Sequence, residues 1–167
     1  HARGLSGRCA PVVNSAHGIR CARILAAMAR ALGQDDAVYR DDIAVLSTAL
    51  QQHSWNAEEG CYSWIIHDQD GRPAERLRHE SGVDHNRGLG GCSPLIAGIC
   101  TPEQETALLE LLLTPGRCWS PIGLSAVDMG APYYDAGGYW NGTVWMPHQW
   151  FFWKALLGMG RCDDAWR

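Results

Sequence analysis

From His17 to Leu32, apolar residues recur at three- and four-residue steps: Ile19, Ala22, Leu25, Ala26, Ala29 and Leu32. That period predicts an amphipathic helix, with Asn14 or Ser15 placed to cap its start and Gly33 to end it. A second helix is expected almost at once, capped by Asp35 or Asp36 and striped by Tyr39, Ile43, Leu46 and Leu50 up to about His53. So short a connection makes the two pack antiparallel as a hairpin. Before them, Gly4, Gly7 and Pro11 keep residues 1–16 irregular. Tyr62 to His67 reads as a short strand, and the DQDGRP run behind it as a turn.

The second half alternates long loops with helices. Residues 72–92 are polar and Gly-rich, and Ser93 to Ile99 reads as a short apolar helix. Thr101-Pro102-Glu103-Gln104 starts a further helix, with a cap, a first-turn proline and a glutamine three residues after the threonine. Its leucines carry it to about Leu113, and another Gly/Pro-rich loop spans 114–142. The last helix, from about Pro147 to Met159, is apolar nearly all round, so it is expected to be buried on most sides, with Phe151, Phe152 and Trp153 in the core. The expected class is mostly α: helix hairpins, long Gly-rich loops and a short β-hairpin.

Composition narrows the function classes. The chain has 167 residues, 46% apolar and 19% charged, enough for a core and too apolar for intrinsic disorder. No run approaches the roughly 18 uncharged apolar residues of a membrane span, so no membrane partner is expected. Fourteen Lys+Arg against 18 Asp+Glu give a net charge of −4, with Lys154 the one lysine and the arginines scattered. That argues against nucleic acid, whose phosphates call for clustered cations. Seven cysteines, an odd number with no CxxC pair, read as reduced and mostly buried thiols. With no signal-peptide pattern, they point to a cytoplasmic protein. The chain opens at His1 and stops at GRCDDAWR just past an apolar helix. Both ends read as cut, and residues 1–167 as a single partial domain.

The densest chemistry lies in GGYWNGTVWMPHQWFFWKALLGMG, Gly137 to Gly160. Tyr139, Trp140 and Trp145 offer flat apolar faces, with Asn141, His148 and Gln149 beside them as hydrogen-bonding groups. Sugars are held by that mixture, C–H faces on aromatic rings and hydroxyls on fixed polar partners. Asp128 and Asp135 lie in the loop leading there; Asp128 reads equally as a sugar ligand or a turn residue, Asp135 as a turn residue. HESGVDHN, with His79, Glu80, Asp84 and His85, suggests a metal at first sight. A zinc-protease helix needs its histidines four apart around a glutamate; here they are six apart and Gly82 interrupts. A polar loop over the site is the expected reading, with neither metal nor cofactor.

GGYWNGTVWMPHQW resembles the Tyr-Trp-x-Gly-x-x-Trp motif of glycoside hydrolase family 63 and its mannosylglycerate hydrolase-like relatives. Upstream, CSPLIAGICTPEQETALLELLLTPGRCWSPIGLSAVD, PVVNSAHGIRCARILAAMARALG and WNAEEGCYSW are similar to further stretches of that family, in the same order. The resemblance implies part of an (α/α)6 toroid of helix hairpins, a carbohydrate substrate and hydrolysis of α-glycosidic bonds with inversion. It assigns sugar lining to Tyr139, Trp140, Gly142 and Trp145, and a place at the same mouth to Trp119 and Gly123. Where the family often has arginine this chain has Asn141, which implies a neutral substrate group there.

The family's acid is an aspartate in a Gly-x-Asp-x-Ser-Pro motif and its base a glutamate after the Tyr-Trp motif. Neither is found in this chain, so both catalytic carboxylates are expected outside it, in the remainder of the same domain. The competing readings are a non-catalytic carbohydrate-binding or scaffolding helical module, and a metallohydrolase centred on His79 and His85.

Overall fold

A computed structural model describes residues 7–167. The first six residues of the irregular segment expected over 1–16 lie outside them. The first helix, α1 (Val12–Ala31), starts five residues earlier than its apolar period predicts. Pro11 stands at its N-cap in an extended conformation, so neither Asn14 nor Ser15 caps it, and Val12 anchors the first turn in the core. Its buried stripe is Val12, Ala16, Ile19, Ala22, Ala26 and Ala29, while Leu25 and Leu32 face outward. Small residues there let the next helix approach closely. A Cβ on Gly18 would sit 3.3 Å from Leu46. Gly33 ends α1 at φ +68°, as expected.

The hairpin partner is α2 (Ala37–Ala49), which runs on as a π-helical turn over Leu50–Ser54. Asp36 occupies the N-cap position without capping. Its carboxylate instead accepts from Arg30 at 2.7 Å and Arg40 at 3.0 Å. Asp35 meets the Ala37 N–H at 3.0 Å.

Seven short strands follow the chain: β1 (Cys9–Ala10), β2 (Trp55–Asn56), β3 (Cys61–Tyr62), β4 (Ile65–His67), β5 (Pro73–Arg76), β6 (Trp119–Ser120) and β7 (Gly123–Leu124). All pairings are antiparallel: β1–β4–β5 in one sheet, β2–β3 and β6–β7 as separate ribbons. The strand expected over 62–67 is divided between β3 and β4, and the DQDGRP turn joins β4 to β5. The stretch 72–92 expected as a loop holds β5 and a single helical turn, α3 (Leu89–Cys92), and the helix expected over 93–99 is the single turn α4 (Pro94–Ala97), ended by left-handed Gly98. Next come α5 (Pro102–Leu113), α6 (Met146–Gly158) and the short α7 (Cys162–Trp166).

One core joins α1, α4, α5 and α6 through Ile19, Leu95, Leu108, Leu112 and Phe152. Burial of this kind is the main driving force for the fold, at roughly 25 cal/mol per Å² of apolar surface. The architecture is mostly α and fits a partial toroid of hairpins. The last helix departs from expectation. Only Phe152, Ala155 and Leu156 of α6 are buried; Phe151 is half-buried, and Trp150 and Trp153 are 55% and 40% exposed. An all-round apolar helix predicts burial on most sides, but its neighbours here, α4, α7 and β7, with His17 of α1 against Phe151, leave Trp150 and Trp153 largely uncovered. No helix among the described residues is long and apolar enough to cross a membrane, and all seven cysteines are free thiols.

Candidate functional site

The start of α6 carries a cluster of aromatic rings. Trp140 and Trp145 stack at 4.6 Å between centroids and 17° between planes. Tyr139 stands edge-on to both, 5.4 Å from Trp140 and 4.7 Å from Trp145. His148 approaches Trp140 edgewise at 6.3 Å. The indole N–H of Trp145 donates to the Tyr139 carbonyl at 2.8 Å, which locks the ring pair to its own loop. Tyr139 and Trp140 remain 67% and 58% exposed, so their faces are open to a ligand.

The loop that presents these rings is shaped by glycines and short polar ties. A Cβ on Gly142 would run into the Asp135 carbonyl, and one on Gly138 into the Asn141 side-chain oxygen. Any other residue at 142 requires a backbone shift, and one at 138 requires the Asn141 side chain to move. The Asn141 amide donates to the Tyr133 carbonyl at 2.8 Å. Thr143 Oγ1 donates to the Tyr139 carbonyl at 2.6 Å, and Asp135 Oδ1 accepts from Gly137 N at 3.0 Å, the turn role expected of it.

The remaining candidates fall into two places. Gln149 grips the backbone of Leu124, accepting from its N–H at 2.7 Å and donating to its carbonyl at 3.0 Å. Its polar atoms therefore fasten the β6–β7 ribbon to α6. Trp119 and Gly123 line an open groove of about 720 Å³ beside the outer face of α6, with Met146, Trp150 and Trp153. There the Arg167 guanidinium lies 4.7 Å above the Trp119 ring. Gln149 also lines this groove and donates to the Trp145 carbonyl at 3.3 Å, whereas none of Tyr139, Trp140 and Trp145 lines it, so Trp119 stands apart from the ring cluster.

Asp128 is turned inward, 1% exposed. Its Oδ2 accepts from Arg87 at 2.6 Å and from Arg117 at 3.0 Å, and its Oδ1 from Gly130 N at 2.9 Å. Burial pushes this carboxyl up, but the Gly130 hydrogen bond and the two guanidiniums outweigh it and hold the pKa below the ordinary aspartate value. Both oxygens are occupied within the chain. Glu59 reaches Arg87 at 3.3 Å. Asp84, fully buried, accepts from Asn56 at 2.9 Å, from Ser63, and from Asn86 N at 2.8 Å.

His79 and His85 flank Tyr133, His85 stacked on it at 4.8 Å and His79 tilted at 5.9 Å. No three ligand-type side chains converge as a metal site among the described residues. Burial holds the pKa of His85 and of His148 below the ordinary histidine value, with His17 adding to the effect at His148. His148 Nδ1 is buried and has no hydrogen-bond partner among the described residues.

Residues 3–167 match the profile of the mannosylglycerate hydrolase MGH1-like glycoside hydrolase domain. The chain belongs to this family. A mannosylglycerate hydrolase of Thermus thermophilus is 30% identical over 123 residues, covering 65% of this chain and 28% of the relative. A glucose-bound GH63 mannosylglycerate hydrolase from a second strain of Thermus thermophilus superposes with a TM-score of 0.78 at 23% identity, covering 95% of this chain and 35% of that one. The same enzyme holding Tris and D-glycerate gives 0.76 at 23% identity over the same shares, 95% and 35%. These structures show a shared fold. The chain spans between a quarter and two fifths of the length of these mannosylglycerate hydrolases.

Within this glycoside hydrolase domain, sequence reading found the aromatic cluster but missed Arg87, Arg117 and Tyr133. All three tie the ring-bearing loop to the rest of the chain. Their only local signal is a charged or aromatic residue inside a Gly-rich loop.

Proposed function

We propose that these residues form the substrate-lining part of the catalytic domain of an inverting α-glycosidase acting on a glucoside- or mannoside-type bond. The observation that carries this reading is the stacked Trp140–Trp145 pair, Trp140 exposed and Trp145 half-buried, held on a glycine-locked loop in a chain of glycoside hydrolase type. Two parallel indoles with Tyr139 beside them offer the flat surface on which sugar C–H faces stack. The relatives are mannosylglycerate hydrolases with glucose and D-glycerate in their structures, which favours a small glycoside.

Inversion requires two carboxyl groups about 6.5–9.5 Å apart, one protonating the leaving group and one activating water. Asp128 is spent on two arginines and Asp135 on its own turn. The acid and base therefore come from the remainder of the domain, which packs on the bare face of α6. Residues 1–167 are then one part of a single catalytic domain. A cytoplasmic location is part of the same proposal, supported by the seven free thiols.

The deciding experiment compares this chain with the whole open reading frame that encloses it on a panel of α-glucosides and α-mannosides. The whole protein is expected to hydrolyse at least one member with inverted anomeric product, and the chain alone none. Hydrolysis by the 167-residue chain unaided, or none by the whole protein, would overturn the reading. In the second case the ring cluster, which is complete within this chain, favours a non-catalytic carbohydrate-binding module.

A further inference from the structure

We propose that Asp128, Arg87 and Tyr133 are positioning residues, which hold the aromatic cluster at its stacked spacing without touching a sugar. The proposal rests on the carbohydrate reading only for what the cluster binds. The segment from Ser125 to Trp145 contains no helix and no extended strand, only isolated bridges of Val127 with Gly88 and of Ser125 with Val144. A loop of that length needs its shape fixed from outside, and the ties that fix it converge on Arg87.

Arg87 is held at three points. Its guanidinium lies between Asp128, at 2.6 Å, and Glu59 on the β2–β3 turn, at 3.3 Å. Its carbonyl accepts from Asp128 N at 2.9 Å. Its own N–H donates to the Tyr133 hydroxyl at 2.9 Å, and that hydroxyl donates onward to the Asp84 carbonyl at 2.8 Å. Arg117, from the loop after α5, closes the other side of Asp128. Two guanidiniums thus face two carboxylates, Asp128 and Glu59, in a partly buried setting where like charges cannot be left together.

From Tyr133 the constraint passes directly to the rings. Its carbonyl accepts from the Asn141 amide at 2.8 Å, and the Asn141 carbonyl accepts from Asp135 N at 3.1 Å. That closes the turn from which Tyr139 and Trp140 project. Trp145 then fastens to Tyr139 through its indole N–H. On the far side, His85 stacks on the Tyr133 ring and fixes its plane. Burial raises the Tyr133 hydroxyl above the ordinary tyrosine pKa, so it remains a proton donor throughout the neutral range. The path from Arg87 to the stacked indoles is continuous, and no atom on it before Tyr139 is part of the exposed ring surface.

The test reads the indole N–H signals of the full chain by NMR, assigned by single Trp→Phe variants. In Asp128→Asn the two guanidiniums lose one of their carboxylates. The Trp140 and Trp145 signals are then expected to shift, and the Trp145 N–H to exchange with solvent roughly tenfold faster as its bond to Tyr139 opens. Trp55 and Trp64, packed against the core, are expected to keep their signals. Tyr133→Phe, which removes only a hydroxyl, is expected to give the same pattern more weakly and decides the matter if Asp128→Asn does not fold. An unchanged Trp145 signal in Tyr133→Phe, or a collapse of all the indole signals together in that variant, would overturn the proposal.

A glucose titration of the same samples forms the second arm. The variants are expected to bind about tenfold more weakly than wild type, because ring misplacement of an ångström or less weakens a pre-formed site. A wild-type protein blind to glucose and to mannose would overturn the carbohydrate reading, and the indole signals would still decide the positioning role.

Discussion

α5 and α6 are alike in composition and differ in how they start and in what covers them. Both are rich in apolar residues and both carry proline in the first turn. α5 is closed by a capping box, in which Gln104 N–H donates to Thr101 Oγ1 at 3.3 Å and Thr101 N–H to Gln104 Oε1 at 2.9 Å. It then buries Leu108, Leu111 and Leu112. α6 has no side-chain cap; Trp145 at its N-cap belongs to the ring cluster instead. It buries one face and shows Trp150 and Trp153 on another. The contrast separates two uses of hydrophobicity. In α5 it is consumed inside the chain; in α6 half of it is left available, next to the segment that presents the rings.

The largest effect separates the two helices directly. Leu108→Ala is expected to lower the chain's stability by about 2–5 kcal/mol, and Trp153→Ala to change it by less than about 1 kcal/mol. Urea unfolding followed by circular dichroism measures both; equal losses would show that the outer face of α6 is covered in solution. A smaller effect tests the helix starts. Thr101→Ala is expected to cost about 1 kcal/mol by opening the capping box, with the melting temperature as readout, and no loss would deny α5 its self-sufficiency.

The smallest effect is a slope. His17, His85 and His148 are each held below the ordinary histidine pKa by burial, so the unfolded chain binds more protons than the folded one as pH falls below about 6.5. Their contribution is complete above that pH and fades as pH descends through the folded-state values. Melting temperature is therefore expected to decline from neutral pH toward pH ~5, and less steeply in His148→Gln. A profile independent of pH, or the same slope in His148→Gln, would remove His148 from the account.

Much of this was legible in the chain. The period of α1, the Thr101-Pro102 start of α5 and the Gly33 stop are local signals, settled by neighbours within one turn. The ring cluster was legible because its members lie within seven residues of one another. What escaped depends on partners far away in sequence. Asp128 meets Arg87 across 41 residues and Arg117 across 11. Nothing in the spacing tells a buried, doubly paired carboxylate from a sugar ligand. Asn141 and Gln149 escaped for a similar reason: an amide beside an aromatic reads as a ligand contact, but both bond to the backbone of their own chain. The exposure of Trp153 was illegible too, since apolar composition reports what a helix surface can bury and is silent on which neighbours are there to cover it.

The collision that a Cβ on Gly142 would make with the Asp135 carbonyl bears on how mutational scans of this loop should be interpreted. An alanine scan across Gly138–Trp145 would score Gly142 among its most sensitive positions, alongside the tryptophans. The tryptophans would score through the surface they present, and Gly142 through the space it leaves empty. A library that counts only lost function would class them together, whereas pairing each score with the amount of folded protein recovered would sort them into two kinds.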